Sequence, residues 1–194
     1  MEFSVKYSKR KTISIKITSV GDVVVFAPIN TPLKTIENFV ISKKNWVLKH
    51  QNRIKNNINS NLSIINKQKF LYFGNIIDYD NEKIKTLVND GCNYLINRCK
   101  ELSLSLNLPI NSVKIKNYKG RWGSCDVNKN VILNKKLIML EKSVIDFVII
   151  HELCHTIYMN HKKTFHLLLN KYIIDEKPYK QALKKYSFLL KLDF

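Results

Sequence analysis

The chain has 194 residues, 45% hydrophobic and 25% charged, with 33 lysines and arginines against 15 acids and a formal net charge of +18. That length fits one domain, or one domain with a small extension, and allows a real core. No apolar run approaches the roughly 20 residues of a bilayer span. The opening stretch MEFSVKYSKRKT has no apolar signal core, which argues against export and makes a cytoplasmic protein the expectation.

In chain order, residues 3–7, 12–18 and 23–26 alternate or are β-branched and read as strands, with turn signals at residues 8–11 and at Gly21-Asp22. Thr31-Pro32 reads as an N-cap followed by a first-turn proline. Ile36, Phe39, Val40, Trp46, Val47 and Ile54 then predict one amphipathic helix to about residue 56, with Trp46 as a core anchor. Residues 56–69 read as a polar, asparagine-rich loop, and 70–77 as a hairpin turning at Gly74-Asn75. A second long helix is predicted over 82–106, stopped by Pro109. Strands at 113–117 and 131–133 are expected to pair across a turn-rich loop at 119–125. Helices follow at 143–158, 162–172 and 178–190. The pattern is α+β: an N-terminal hairpin region and long helix over residues 1–80, then a core over 81–194 with a small antiparallel sheet.

The excess of positive charge can attract nucleic acid or an anionic surface. It is also spread along the whole chain, as a lysine-, asparagine- and isoleucine-rich composition would produce. Cys92, Cys99, Cys125 and Cys154 include no C-x-x-C pair, so reduced, mostly buried thiols are expected.

The most specific feature is His151-Glu152-Leu153-Cys154-His155, an H-E-x-x-H motif that follows the apolar run 144–150. Positions i and i+4 share one helix face, so His151 and His155 can direct two imidazoles at one Zn²⁺. Glu152 is offset by roughly 100°, beside the metal, where a carboxylate can take a proton from zinc-bound water. His161 can supply a third nitrogen if the helix stops near Tyr158 or Met159 and the chain turns at Asn160, a residue that tolerates left-handed backbone. His166 and Glu176 compete for that place and rank below His161. Arg121 has two readings: an electrophile for a developing oxyanion, or a surface arginine paired with a carboxylate above a buried Trp122.

Taken together, Arg121-Trp122-Gly123-Ser124-Cys125, Asn134 with Leu137-Ile138, 148–155 with its HELCH motif, and Asn160-His161 with Phe165 resemble the YgjP-like metallopeptidases. These are small zincin-type proteins related to the WLM and SprT-like proteases. The N-terminal hairpin, Pro28, Trp46 and Phe73-Gly74 agree, and His166 departs, standing where the family usually has tryptophan. The resemblance implies a zincin-like core, Zn²⁺ held by His151, His155 and His161, Glu152 as general base, and a peptide or protein substrate. Three other functions remain open. One is a metal-dependent nucleotide pyrophosphatase, with Arg121 and nearby lysines facing the phosphates. Another is a nucleic-acid-associated protease of SprT-like type that uses the basic surface. The last is a non-catalytic binding module, against which the intact Glu152 speaks.

Overall fold

The computed structural model describes residues 2–18, 21–60, 64, 66 and 68–192. The chain divides into two compact units, Met1–Leu62 and Ser63–Phe194.

The first unit opens with β1 (Ser4–Ser8), β2 (Ser14–Ile17) and β3 (Val23–Pro28), in the order β1-β3-β2. The second strand pairs with β3 antiparallel, as a hairpin should, whereas β1 lies parallel to β3. Along β3 every second residue, Val23, Val25 and Ala27, is buried, the signature of one covered face. Against it lie Ile36 and Val40 of α1 (Leu33–Ser42) and Val47 of α2 (Lys44–Ser60).

The single helix read from the sequence is therefore two. Lys43 leaves helical geometry at φ −105°, ψ 9°, and the chain restarts at Lys44. The restart gives the inward slot to Val47, so its neighbour Trp46 is left outside. Trp46 is not a core anchor: it is 44% exposed and its ring rests on His50, with centroids 4.1 Å apart. Part of the loop expected over 56–69 lies outside the described residues; 56–60 form the end of α2.

The second unit begins with the hairpin β4 (Lys69–Tyr72) and β5 (Asn75–Asp78). Phe70 and Leu71 bury in the larger core, which is why the compact division falls at 62/63, ahead of the 80/81 boundary drawn from the sequence. Its two-residue turn is Phe73-Gly74, one place earlier than expected, with φ of 47° and 82°. Positive φ at both positions matches the right-handed twist of a hairpin.

Helix α3 (Asn81–Ser105) follows, its N-terminus capped by Asp80, which accepts from the Lys83 amide at 2.7 Å. Strands β6 (Ser112–Lys116), β7 (Gly123–Cys125) and β8 (Asn130–Asn134) form a sheet in the order β6-β8-β7. This sheet is mixed, not antiparallel. The tight turn after β7 forces an antiparallel β7–β8 pair, while the crossover through residues 117–122 brings β6 to the other edge of β8 in parallel. Strand β7 lies inside the stretch read as loop; three residues are too few to show a period of two.

A 3-10 segment (Lys135–Met139) leads into α4 (Lys142–Cys154), followed by α5 (Lys163–Leu169), α6 (Lys177–Lys185) and a last 3-10 segment (Tyr186–Lys191). Helix α4 is apolar on nearly all sides and buries Ile145, Val148, Ile149 and Leu153 among Leu133, Leu137, Phe165 and Leu169. Arg98 of α3 grips Asp146 of α4 through two bonds of 2.8 Å each, a bidentate pair that fixes the two helices against each other. Among the described residues, no helix is long and apolar enough to cross a membrane.

Candidate metal centre

Helix α4 carries His151 and Glu152 in its last turn and ends at Cys154, four residues before the expected stop at 158. His155 is the C-cap. Beyond it the chain tightens into i to i−3 bonds: the amides of His155, Thr156 and Ile157 donate to the carbonyls of Glu152, Leu153 and Cys154. The Thr156 hydroxyl also donates to the Leu153 carbonyl at 2.8 Å. Asn160 does not adopt the left-handed backbone expected of it; its side-chain oxygen instead accepts from the Lys162 amide at 3.2 Å. The turn is thus an Asx turn rather than a left-handed one.

This turn brings His161 to the two motif histidines. The Nε2 atoms of His151 and His161 lie 3.0 Å apart. One ring nitrogen from each of His151, His155 and His161 falls within 4.8 Å of the others, a group able to hold a metal ion. The side of Phe165 forms the floor, its ring centroid 5.0, 4.5 and 4.8 Å from those of the three imidazoles.

The local chemistry fits a cation. Burial, with the neighbouring imidazoles adding to it, lowers the pKa of His151 to about 4, so its ring is neutral and keeps a lone pair at neutral pH. His155 is also lowered by burial. Its Nδ1 lies 2.9 Å from the Tyr158 carbonyl, which can only accept, so Nδ1 carries the proton and Nε2 is left as the ligating atom. Three imidazoles without a carboxylate suit zinc or another late transition metal better than calcium or magnesium.

Glu152 is 8% exposed, and burial raises its pKa to about 7, opposed by the positive charge of Arg121. The room for this carboxylate comes from Gly123. A Cβ there would stand 2.8 Å from the Glu152 Cγ and 3.0 Å from its Oε1. The RWGSC segment is therefore the wall of the site. Asn134, fully buried, shapes it by donating to the carbonyls of Tyr118 at 2.9 Å and Arg121 at 2.8 Å.

Arg121 itself is exposed, with its guanidinium over the Tyr118 ring at 5.6 Å. Trp122 packs against the main core, as one of the two readings held. His166 and Glu176 stand outside the three-histidine group: His166 Nδ1 lies 3.4 Å from Glu176, whose other oxygen meets Lys180 at 2.5 Å. Burial, with the nearby Glu152 adding to it, pushes the Cys125 thiol up to about 11. From residues alone Gly123 and Phe165 carried no readable role, because a missing Cβ and a ring under a cluster matter only across elements distant in sequence.

No curated protein matches the chain. Two solved structures are similar to about half of it. The metallopeptidase zymogen jannalysin of Methanocaldococcus jannaschii is 27% identical, with a TM-score of 0.41 over 49% of this chain and 96% of that one. The zymogen abylysin of Pyrococcus abyssi is 17% identical, with a TM-score of 0.43 over 52% and 98%. The family described as YgjP-like, metallopeptidase domain, matches residues 11–90 and 87–186, nearly the whole length, the second segment holding the three histidines and Glu152, and the chain belongs to that family.

Proposed function

We propose that this protein is a zinc-dependent peptidase in which His151, His155 and His161 hold the ion and Glu152 is the general base. The convergence of three imidazoles beside a buried carboxylate with a pKa of about 7 carries this reading. Bound zinc would supply a Lewis acid that polarises the scissile carbonyl and acidifies water. Glu152 accepts the proton of the attacking water and hands it to the amine leaving group; a base poised near neutrality serves both transfers. Gly123 keeps that carboxylate clear of the strand beside it. Arg121, whose charge already reaches Glu152, stabilises negative charge developing on the carbonyl oxygen. Membership of a metallopeptidase family favours the peptide bond over a phosphoanhydride as the bond cleaved. Four free cysteines, two of them fully buried, suit a reducing, cytoplasmic setting.

The test is Glu152→Gln, assayed on an unfolded protein substrate alongside metal analysis. The variant is expected to retain about one zinc per chain while losing roughly 100-fold or more in turnover. Hydrolysis at the wild-type rate by this variant would remove Glu152 from the mechanism.

A further inference from the structure

A second surface of the molecule lies on α2, in the other compact unit. Of the residues of this helix from Lys44 to Asn56, only Val47 is fully buried. Gln51 ties the same side down by donating to the Gly21 carbonyl at 2.9 Å. At 100° per residue, Asn45, Lys49, Asn52 and Asn56 lie opposite Val47, with Trp46 and Arg53 together on one flank. All six are exposed. Lys49, Asn52, Arg53 and Asn56, with His50, line a shallow groove of about 410 Å³.

This face has no acidic counterpart. Between Glu37 and Asp78 the chain contains no aspartate or glutamate, and residues 1–62 carry eleven lysines and arginines against Glu2, Asp22 and Glu37. Here the outer face holds cations, amides and one large aromatic. The Trp46 ring lies against that of His50, tilted by 31° with centroids 4.1 Å apart, and His50 Nδ1 donates to the Trp46 carbonyl at 2.9 Å. A ring with an open side is a stacking platform; flanking cations are phosphate contacts, and asparagines can pair with base edges.

We infer that this face of α2 binds single-stranded nucleic acid, with Trp46 stacking on a base and Lys49 and Arg53 contacting phosphates. An anionic membrane is the poorer occupant. A surface-bound helix presents an apolar face to lipid, and the apolar side of α2 is turned to the core of its own unit. The inference stands apart from the hydrolytic site and does not depend on zinc.

The experiment is fluorescence anisotropy of a labelled oligothymidylate of about 20 nucleotides, titrated with the full chain over a range of salt. Binding is expected at about 50 mM salt and should weaken steeply as salt rises. Trp46→Ala should weaken it roughly tenfold, the scale of one stacked base. The double variant Lys49→Ala/Arg53→Ala should flatten the log–log salt slope by about 1.4, near 0.7 for each lost phosphate contact. Lys44→Ala/Lys55→Ala removes the same charge from the far side of the helix and should leave slope and affinity unchanged. Equal losses in the two double variants would reduce the effect to bulk charge and overturn the proposal. So would the absence of binding at about 50 mM salt, where such contacts are strong. Vesicles of phosphatidylserine and phosphatidylcholine bound with the same dependence on Trp46 would reassign the face to lipid. Glu152→Gln should bind the oligonucleotide like wild type, so the fate of this inference is separate from that of the peptidase.

Discussion

The two compact units bury their helices to very different degrees. Helix α4 of the second unit is buried along most of its length and meets Leu133, Leu137, Phe165 and Leu169. Helix α2 of the first unit commits Val47 to its core and leaves Trp46, Lys49 and Arg53 to solvent. The difference teaches where each kind of chemistry can reside. Three imidazoles must hold positions to a fraction of an ångström to share one ion, so their helix has to be locked by packing. A stripe that contacts a flexible polyanion needs charge and exposure rather than rigid enclosure.

The largest expected effect breaks the enclosed side of that comparison. Phe165→Ala removes the floor under all three imidazoles and should destabilise the protein by about 3–5 kcal/mol, as for other buried aromatics. Equilibrium denaturation in urea checks it, and a change below about 0.5 kcal/mol, the level of ordinary surface substitutions, would deny the ring its structural role.

Removing the third imidazole should act on the metal rather than the fold. His161 is exposed, so His161→Ala should leave the melting behaviour of the metal-free chain intact. It should lower zinc affinity by more than the 10–100-fold typical of outer-shell partners. His166→Ala, which removes the contact with Glu176 and ring contacts with Phe165 and His161 but no ring nitrogen of the three-histidine group, should leave affinity unchanged. Competition with a chromophoric chelator separates the two; the opposite order would move the third ligand to His166.

The pH dependence of the metal-free chain sharpens the comparison further, because two neighbours titrate in opposite senses. Glu152 has a folded pKa of about 7 against an ordinary 4.5, so the folded state binds its proton more tightly than the unfolded chain. Its contribution is complete below about pH 4.5 and is lost as pH rises through about 7. His151 is lowered from 6.5 to about 4, so its contribution is complete above pH 6.5 and is lost as pH falls through about 4. Glu152→Gln removes only the first. Relative to wild type, the chelator-treated variant should gain on the order of 2–3 kcal/mol between pH 4.5 and 8. Parallel stability curves for the two proteins would contradict the buried carboxylate.

The smallest effect belongs to the open face of α2. Trp46→Ala should change stability by no more than about 0.5 kcal/mol, although tryptophan is the largest side chain. A loss of several kcal/mol would mean that Trp46 is packed after all.

The sequence by itself determined the local features of the site. The spacing of His151 and His155 and the apolar run before them follow from helix periodicity, which a chain carries in its residue order. Likewise, the bounds of the second long helix, the hairpin near Gly74 and the alternation along β3 are local signals, and each lies within a residue or two of its predicted place. Tertiary structure decided what depends on distant partners. The parallel pairing of β6 with β8 reflects how a crossover closes, not the alternation within either strand. The early end of α4 depends on where His155 and Thr156 find carbonyls, and the outward turn of Trp46 on which of two adjacent residues faces the sheet. Glu152 gains its pKa of about 7 only when Gly123, 29 positions away in the sequence, packs against it and burial strips it of water. Periodicity is written in the order of residues, but desolvation and close approach exist only once separate elements have met.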